Sequence, residues 1–292
     1  MAKTASAMLF LYLLLSRCLL SHAFQEFITK FPMPMMYNFP SCSSTIPSTC
    51  RNETAIADTC CFEYPGGLIL HSQFWNAPYR KRSYRDFGPD DSFTIHGLWN
   101  DRCDGSWDQF CRRGSSIRSV VDILSKDSLN RGGLPITGKA LLRQMSMYWK
   151  GDRGDENLWV HEYNKHGLCL NTLRPECYQR WGSVASAEDQ AIYDYFRIAM
   201  NLHLKIDAYH ALSRQGIKPR CDAPYDAVRM QNALADDFGR EVQMQCTGNR
   251  LTGVTYYYLL RGGILSENFQ PVDPTQSSSC RGKIYWIPKS GC

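Results

Sequence analysis

Two stretches rich in β-branched and aromatic residues, Leu68 to Trp75 and Ser92 to Trp99, predict strands. Strict alternation in the second puts Thr94, His96 and Leu98 on one face and Phe93, Ile95 and Gly97 on the other. Residues 137–149 carry a helical pattern, and so do 186–213, which open Ser-x-x-Asp and repeat apolar residues at Ile192, Phe196, Ala199 and Leu212. Strand signals return at 242–246, 253–260 and 283–287. Strands near both ends with helices between them predict an α+β fold, an antiparallel sheet with helices packed against it.

The chain opens with Lys3, an apolar run from Ala7 to Leu15 and a small-residue close at Ala23, the pattern of a cleaved secretory signal over 1–23. Residues 24–292 then form a single domain, with an irregular Pro- and Met-rich arm over about 24–41. No later run is long and apolar enough to span a membrane. These features predict an exported protein, outside the cell or in a vacuolar or lysosome-like compartment. The sequon at Asn52 marks a candidate glycan site.

Removing 1–23 takes Cys18 from the 13 cysteines and leaves an even number on the oxidising side of the membrane. No paired CxxC or Cys/His spacing suggests zinc, so scaffold disulfides are the natural use of these thiols. The formal charge of +5 loses Lys3 and Arg17 with the signal and becomes mild. A polyanionic partner is permitted, not demanded. The densest basic run, Arg80 to Arg85, reads first as a solvated loop and second as a guide for a phosphate backbone.

Candidate chemistry concentrates in two short blocks, one around His96 to Trp99 and one from His161 to Cys169. With 159–168 helical, Glu162 and His166 share a face, and His161 and Lys165 share the adjacent one. Such a surface suits an anion and a proton transfer, because His changes protonation near neutral pH while Lys stabilises added negative charge. A second imidazole arriving on the strand at His96 completes an acid and base pair. Cleavage of an RNA phosphodiester needs that pair, a cation, and the substrate's own 2′-hydroxyl as nucleophile, so DNA would be inert. Trp99 and Trp107 are available to stack bases, though each would serve equally as core.

A lone His on an apolar strand is ordinarily a hydrogen-bonded core residue, and His203 and His210 in the long helix read as structural; His71 has no obvious partner. The His161-Glu162 pair invites comparison with zinc proteases. Their histidines are four apart, whereas His161 and His166 are five apart, about 140° around a helix. Neither metal nor cofactor is expected.

Both blocks resemble the active-site segments of the ribonuclease T2 family, Phe/Trp-x-x-His-Gly-Leu-Trp-Pro and His-Glu-Trp-x-Lys-His-Gly-x-Cys, and the likeness runs from about Cys42 to Pro288. The close-set Cys42, Cys50, Cys60 and Cys61 resemble the fungal branch. The resemblance implies His166 as base toward the 2′-hydroxyl and His96 as acid toward the leaving oxygen, with roles exchanged when the 2′,3′-cyclic phosphate is hydrolysed. It implies His161 as a phosphate ligand and Glu162 with Lys165 as stabilisers of the phosphorane. Trp99, Asp101 and Trp107 match the primary base site, and Gln73 the second. Fungal relatives imply the bridges Cys42–Cys61, Cys50–Cys103, Cys60–Cys177, Cys111–Cys169 and Cys246–Cys280, which leaves Cys221–Cys292 as a sixth.

Three departures stand out. Asn100 replaces the family's Pro and would loosen the turn that carries Asp101, Tyr163 replaces a Trp, and Trp107 replaces a Tyr. The expectation is a secreted, monomeric, metal-independent endoribonuclease that cleaves single-stranded RNA with little base preference. The alternatives are a catalytically retired binding module and, more distantly, a secreted metallohydrolase.

Overall fold

The computed structural model describes residues 42–51, 58–78, 86–130, 134–179 and 185–292. The signal, the arm, Asn52 and the basic run at 80–85 lie outside the described residues. The strands of the central sheet are β1 (Leu68–Phe74), β2 (Thr94–Asp101), β4 (Gln243–Thr247), β5 (Arg250–Leu260) and β6 (Phe269–Val272). The sheet is antiparallel in the order β2-β1-β5-β4, with β6 paired to β5. A short separate pair joins β3 (Tyr225–Asp226) to β7 (Lys283–Ile284). The helices are α1 (Val120–Leu124), α2 (Gly138–Tyr148), α3 (Asp155–Lys165), α4 (Pro175–Gln179), α5 (Ala187–Lys205), α6 (Ala208–Arg214) and α7 (Ala227–Phe238).

The core lies between the sheet and α5. Ile69, Ile95, Leu98 and Val254 from the strands pack with Ile192, Phe196, Ala199 and Leu202 of the helix, all buried. The opposite face carries a smaller cluster of Leu68, Leu70, Tyr257 and Leu259, against which Trp99 packs at the β2 edge.

The expected alternation along β2 fails at one residue. Ser72 faces Gly97 while its neighbour Gln73 faces Ile95, so His96 is the extra residue of a β-bulge. A bulge breaks the two-residue period and re-aims the side chains around it. Leu98 therefore turns into the core with Ile95, and His96 turns away from it, toward α3.

The single helix expected over 186–213 is two. Ile206 is extended, and the Asp207 side chain accepts from the His210 amide and so caps a second helix. The last strand stops at Ile284, short of 287. α3 begins before the expected Trp159 and ends at Lys165, where a short 3-10 turn over Gly167–Cys169 takes over.

Six disulfides pair Cys42–Cys61, Cys50–Cys103, Cys60–Cys177, Cys111–Cys169, Cys221–Cys292 and Cys246–Cys280. Among the described residues no helix is long and apolar enough to cross a membrane.

Candidate active site

The site forms where the edge strand β2 meets the C-terminal end of α3. Two bonds hold the bulge in place: Trp149 donates its indole N–H to the His96 carbonyl at 3.0 Å, and Tyr195 donates its hydroxyl to the Leu98 carbonyl at 3.0 Å. The start of α3 is fixed by Asp155, which accepts from the Gly151 amide at 2.9 Å and pairs with Lys150 at 2.6 Å. Acidic residues in its first turn and Lys165 in its last complement the helix dipole.

Glu162 stands at the centre, 1% exposed in its side chain. One of its oxygens lies 3.6 Å from His96 Nε2, and the other lies 4.0 Å from His166 Nε2. Trp99 donates its indole N–H to the second oxygen at 2.8 Å. The same indole lies alongside the His166 ring at 5.1 Å and meets the His96 ring edge-on at 4.9 Å. Two imidazoles thus flank one carboxylate, with a single tryptophan touching all three.

Burial pushes the Glu162 carboxyl up to about 7, against the opposing pull of Trp99 and Lys165. The His96 and His166 imidazoles are pushed down to about 3, first by burial and then by the Lys165 charge. Exposed His161 is lowered as well, by partial burial and then by Lys165. One ammonium is therefore felt by all three imidazoles. An anion entering the cluster would offset that field and draw protons onto the rings.

The remaining candidates divide. Asp101 is buried two residues beyond Trp99 on β2, its carboxyl pushed up to about 7 by burial, and its backbone pairs with that of Trp107. Trp107 is 57% exposed and free to stack. Gln73 does not join them. It is wholly buried on the other face of β1, its Nε2 3.4 Å from His71 Nδ1. Adjacent strand residues point to opposite faces, so the neighbouring Phe74 faces the site instead, its ring stacked on His96 at 3.9 Å. Sequence reasoning passed over Phe74, although the alternation of β1 was a sufficient signal. His71 and His203 lie together behind the sheet with ring centroids 6.1 Å apart, and His210 pairs with Asp207.

Asn100 does not loosen its turn. It is buried, accepts from the Gly67 amide at 2.7 Å, and donates to Glu63 at 3.0 Å and to the Cys169 carbonyl at 3.1 Å. Tyr163 fills the core edge with its ring 5.5 Å from Tyr195. Among the described residues no three His, Cys, Asp or Glu side chains are placed to hold a metal ion.

The Ribonuclease T2 family model matches residues 66–273. The chain belongs to the ribonuclease T2 family. A ribonuclease T2-like protein of Candida glabrata is 44% identical over 285 residues, covering 91% of this chain and 66% of its own length. The chain thus spans just under two thirds of that yeast relative. Ribonuclease T2 of Aspergillus oryzae is 36% identical, with 87% and 86% covered. The crystal structure of Actibind, a T2 ribonuclease, superposes with a TM-score of 0.74 at 33% identity, covering 86% of this chain and 99% of that one. In this family member the two motif blocks, far apart in sequence, meet around Glu162.

Proposed function

We propose that this protein is an endoribonuclease that cleaves single-stranded RNA by transphosphorylation to a 2′,3′-cyclic phosphate and then hydrolyses that ring to a 3′-phosphate. The observation that carries this is the placement of His96 and His166 on either side of Glu162, at 3.6 and 4.0 Å. In the first step His166 takes the proton of the 2′-hydroxyl, which attacks the adjacent phosphorus, and His96 protonates the departing 5′-oxygen. Glu162, Lys165 and His161 hold the five-coordinate phosphorus, the ammonium supplying the positive charge that its added negative charge needs. In the second step water is the nucleophile and the imidazoles exchange roles.

The 2′-hydroxyl is indispensable to this scheme, so DNA is not a substrate. Trp99, Asp101 and Trp107 form the primary base site, with Asp101 accepting from an exocyclic amine when ionised. Base preference is low, because stacking on Trp107 tolerates any base. The protein works as one catalytic domain, monomeric and exported, and its six disulfides suit an oxidising compartment.

Digestion of a single-stranded RNA and its all-DNA counterpart in EDTA, with product ends read by mass, tests the proposal. The expected result is RNA-only cleavage to cyclic or 3′-phosphate ends, abolished in both His96→Phe and His166→Phe. Folded, fully oxidised protein that binds RNA without cutting it would indicate a binding module, and cleavage that needs metal would overturn the histidine roles.

A further inference from the structure

Glu63 is a fully buried carboxylate outside the site, and nothing in the proposed chemistry uses it. Ionised groups are costly to bury unless every lone pair is answered. Here all are. The Thr172 amide at 2.8 Å and the Thr172 hydroxyl donate to one oxygen, while the Asn171 amide at 2.9 Å and Asn100 Nδ2 at 3.0 Å donate to the other. The Thr172 hydroxyl is free to donate because it accepts from the Ile264 amide at 3.0 Å.

Asn100 carries this network into the site from two directions. On its own strand it sits between Trp99, which bonds Glu162, and Asp101. Through space it donates to the Cys169 carbonyl, and the Cys169 amide in turn donates to the His166 carbonyl at 2.9 Å. The fit is close. A Cβ on Gly66 would lie 2.3 Å from Asn100 Oδ1, and the nearby Cys60–Cys177 and Cys42–Cys61 bridges anchor the chain just before Glu63.

We infer that Glu63, Asn100 and Thr172 are positioning residues for the reaction, a buried polar clamp that sets the span between the strand bearing His96 and Trp99 and the helix end bearing His166. The inference rests on the endoribonuclease proposal. None of the three touches substrate. They act by holding the two imidazoles at a separation that serves both proton transfers, where a misplacement of about 1 Å can cost on the order of a hundredfold in rate.

The test compares wild type with Asn100→Ala, Thr172→Val and Thr172→Ser on a cleavable dinucleoside phosphate, with binding of its uncleavable 2′-deoxy analogue measured in parallel. Circular dichroism confirms folding at the assay temperature. Asn100→Ala and Thr172→Val are expected to lower kcat roughly tenfold or more, with KM and analogue binding held within about threefold, and Thr172→Ser to restore kcat to within about threefold of wild type. A kcat within about threefold of wild type in folded Asn100→Ala, or a loss borne wholly by KM, would overturn the clamp. If Asn100→Ala does not fold, Thr172→Val decides by the same criteria. A wild type that cleaves nothing overturns the endoribonuclease proposal and this inference with it, whereas an active wild type with indifferent variants overturns the clamp alone.

Discussion

Gly97 lies directly beneath the Glu162 carboxylate: a Cβ at position 97 would sit 2.0 Å from Glu162 Oε2 and 2.5 Å from Trp99 Nε1. The carboxylate can stand between the two imidazoles only because that side chain is absent. Gly97→Ala must displace Glu162, Trp99 or both, which disturbs the carboxylate that faces both histidines. The expected loss in kcat is roughly tenfold to a hundredfold, on the scale of a small misplacement of reacting groups. Full activity in a folded Gly97→Ala enzyme would show that the carboxylate position is not critical.

The free protein should keep both site imidazoles neutral through mildly acidic pH, since burial and Lys165 push His96 and His166 down to about 3. A bound 3′-nucleotide places a phosphate against the same rings and should raise both values. Proton NMR of the imidazole Cε1–H signals, with and without the nucleotide, checks this. Titration of His96 near the ordinary histidine value in the free protein would contradict it.

Stability should fall in acid partly for a reason located behind the sheet, which adds to the same effect of the depressed His96 and His166 in the site. Burial holds His71 down to about 4 and His203 to about 3, so between pH 6.5 and these values the unfolded chain binds protons that the folded chain refuses. Their contribution is complete above pH 6.5 and is lost as pH falls through about 4 and 3. Glu162 works in the opposite sense, since its raised value favours the folded state below the ordinary carboxyl range and loses that benefit as pH rises through about 7. His203→Leu should flatten the acid limb of a denaturation series by about 1.4 kcal/mol per pH unit for the one proton removed. An unchanged slope would place the acid sensitivity elsewhere.

The bridge Cys111–Cys169 closes on the turn just after His166, and the Phe110 amide donates to the Lys165 carbonyl at 2.9 Å beside it. Replacing both cysteines with serine should cost about 4 kcal/mol, as expected for a loop of this length, and should lower kcat even where the variant is folded. Chemical denaturation and single-turnover assays on the folded fraction separate the two effects.

Substitution at the base site should act on binding. Trp107→Ala is expected to raise KM roughly tenfold with kcat little changed, in line with about 1–3 kcal/mol for a stacked base. Gln73→Ala, altered on the buried face, should leave KM for a dinucleotide unchanged. A KM effect at Gln73 equal to that at Trp107 would mean that β1 presents its other face to RNA.

Most of the sheet was legible from β-branched and aromatic runs, because strands buried on both faces, as β1 and most of β5 are, advertise themselves by composition. So was the pairing of His96 with the 161–166 cluster, since those residue types make little sense as packing. What escaped was set by tertiary contacts. The bulge at His96 depends on how β1 lies against β2, and alternation along one strand carries no record of it. Gln73 was assigned by likeness, whereas the strand's own period turns Phe74 toward the site and Gln73 away from it. Asn100 read as a lost proline, yet its worth lies in Glu63, Gly67 and Cys169, none of them sequence neighbours. The break at Ile206 was visible in principle, since Asp207 is a good capping residue that the apolar pattern overrode.

The extra residue in β2 also bears on transplantation. A His-Gly-Leu-Trp tetrapeptide set into a regular strand would send its imidazole to the same side as its leucine, into whatever interior that strand covers. Only the partner's register between Ser72 and Gln73 turns the ring outward. The motif is therefore a property of two strands, and a graft carrying one of them would reproduce the letters without the outward-facing imidazole.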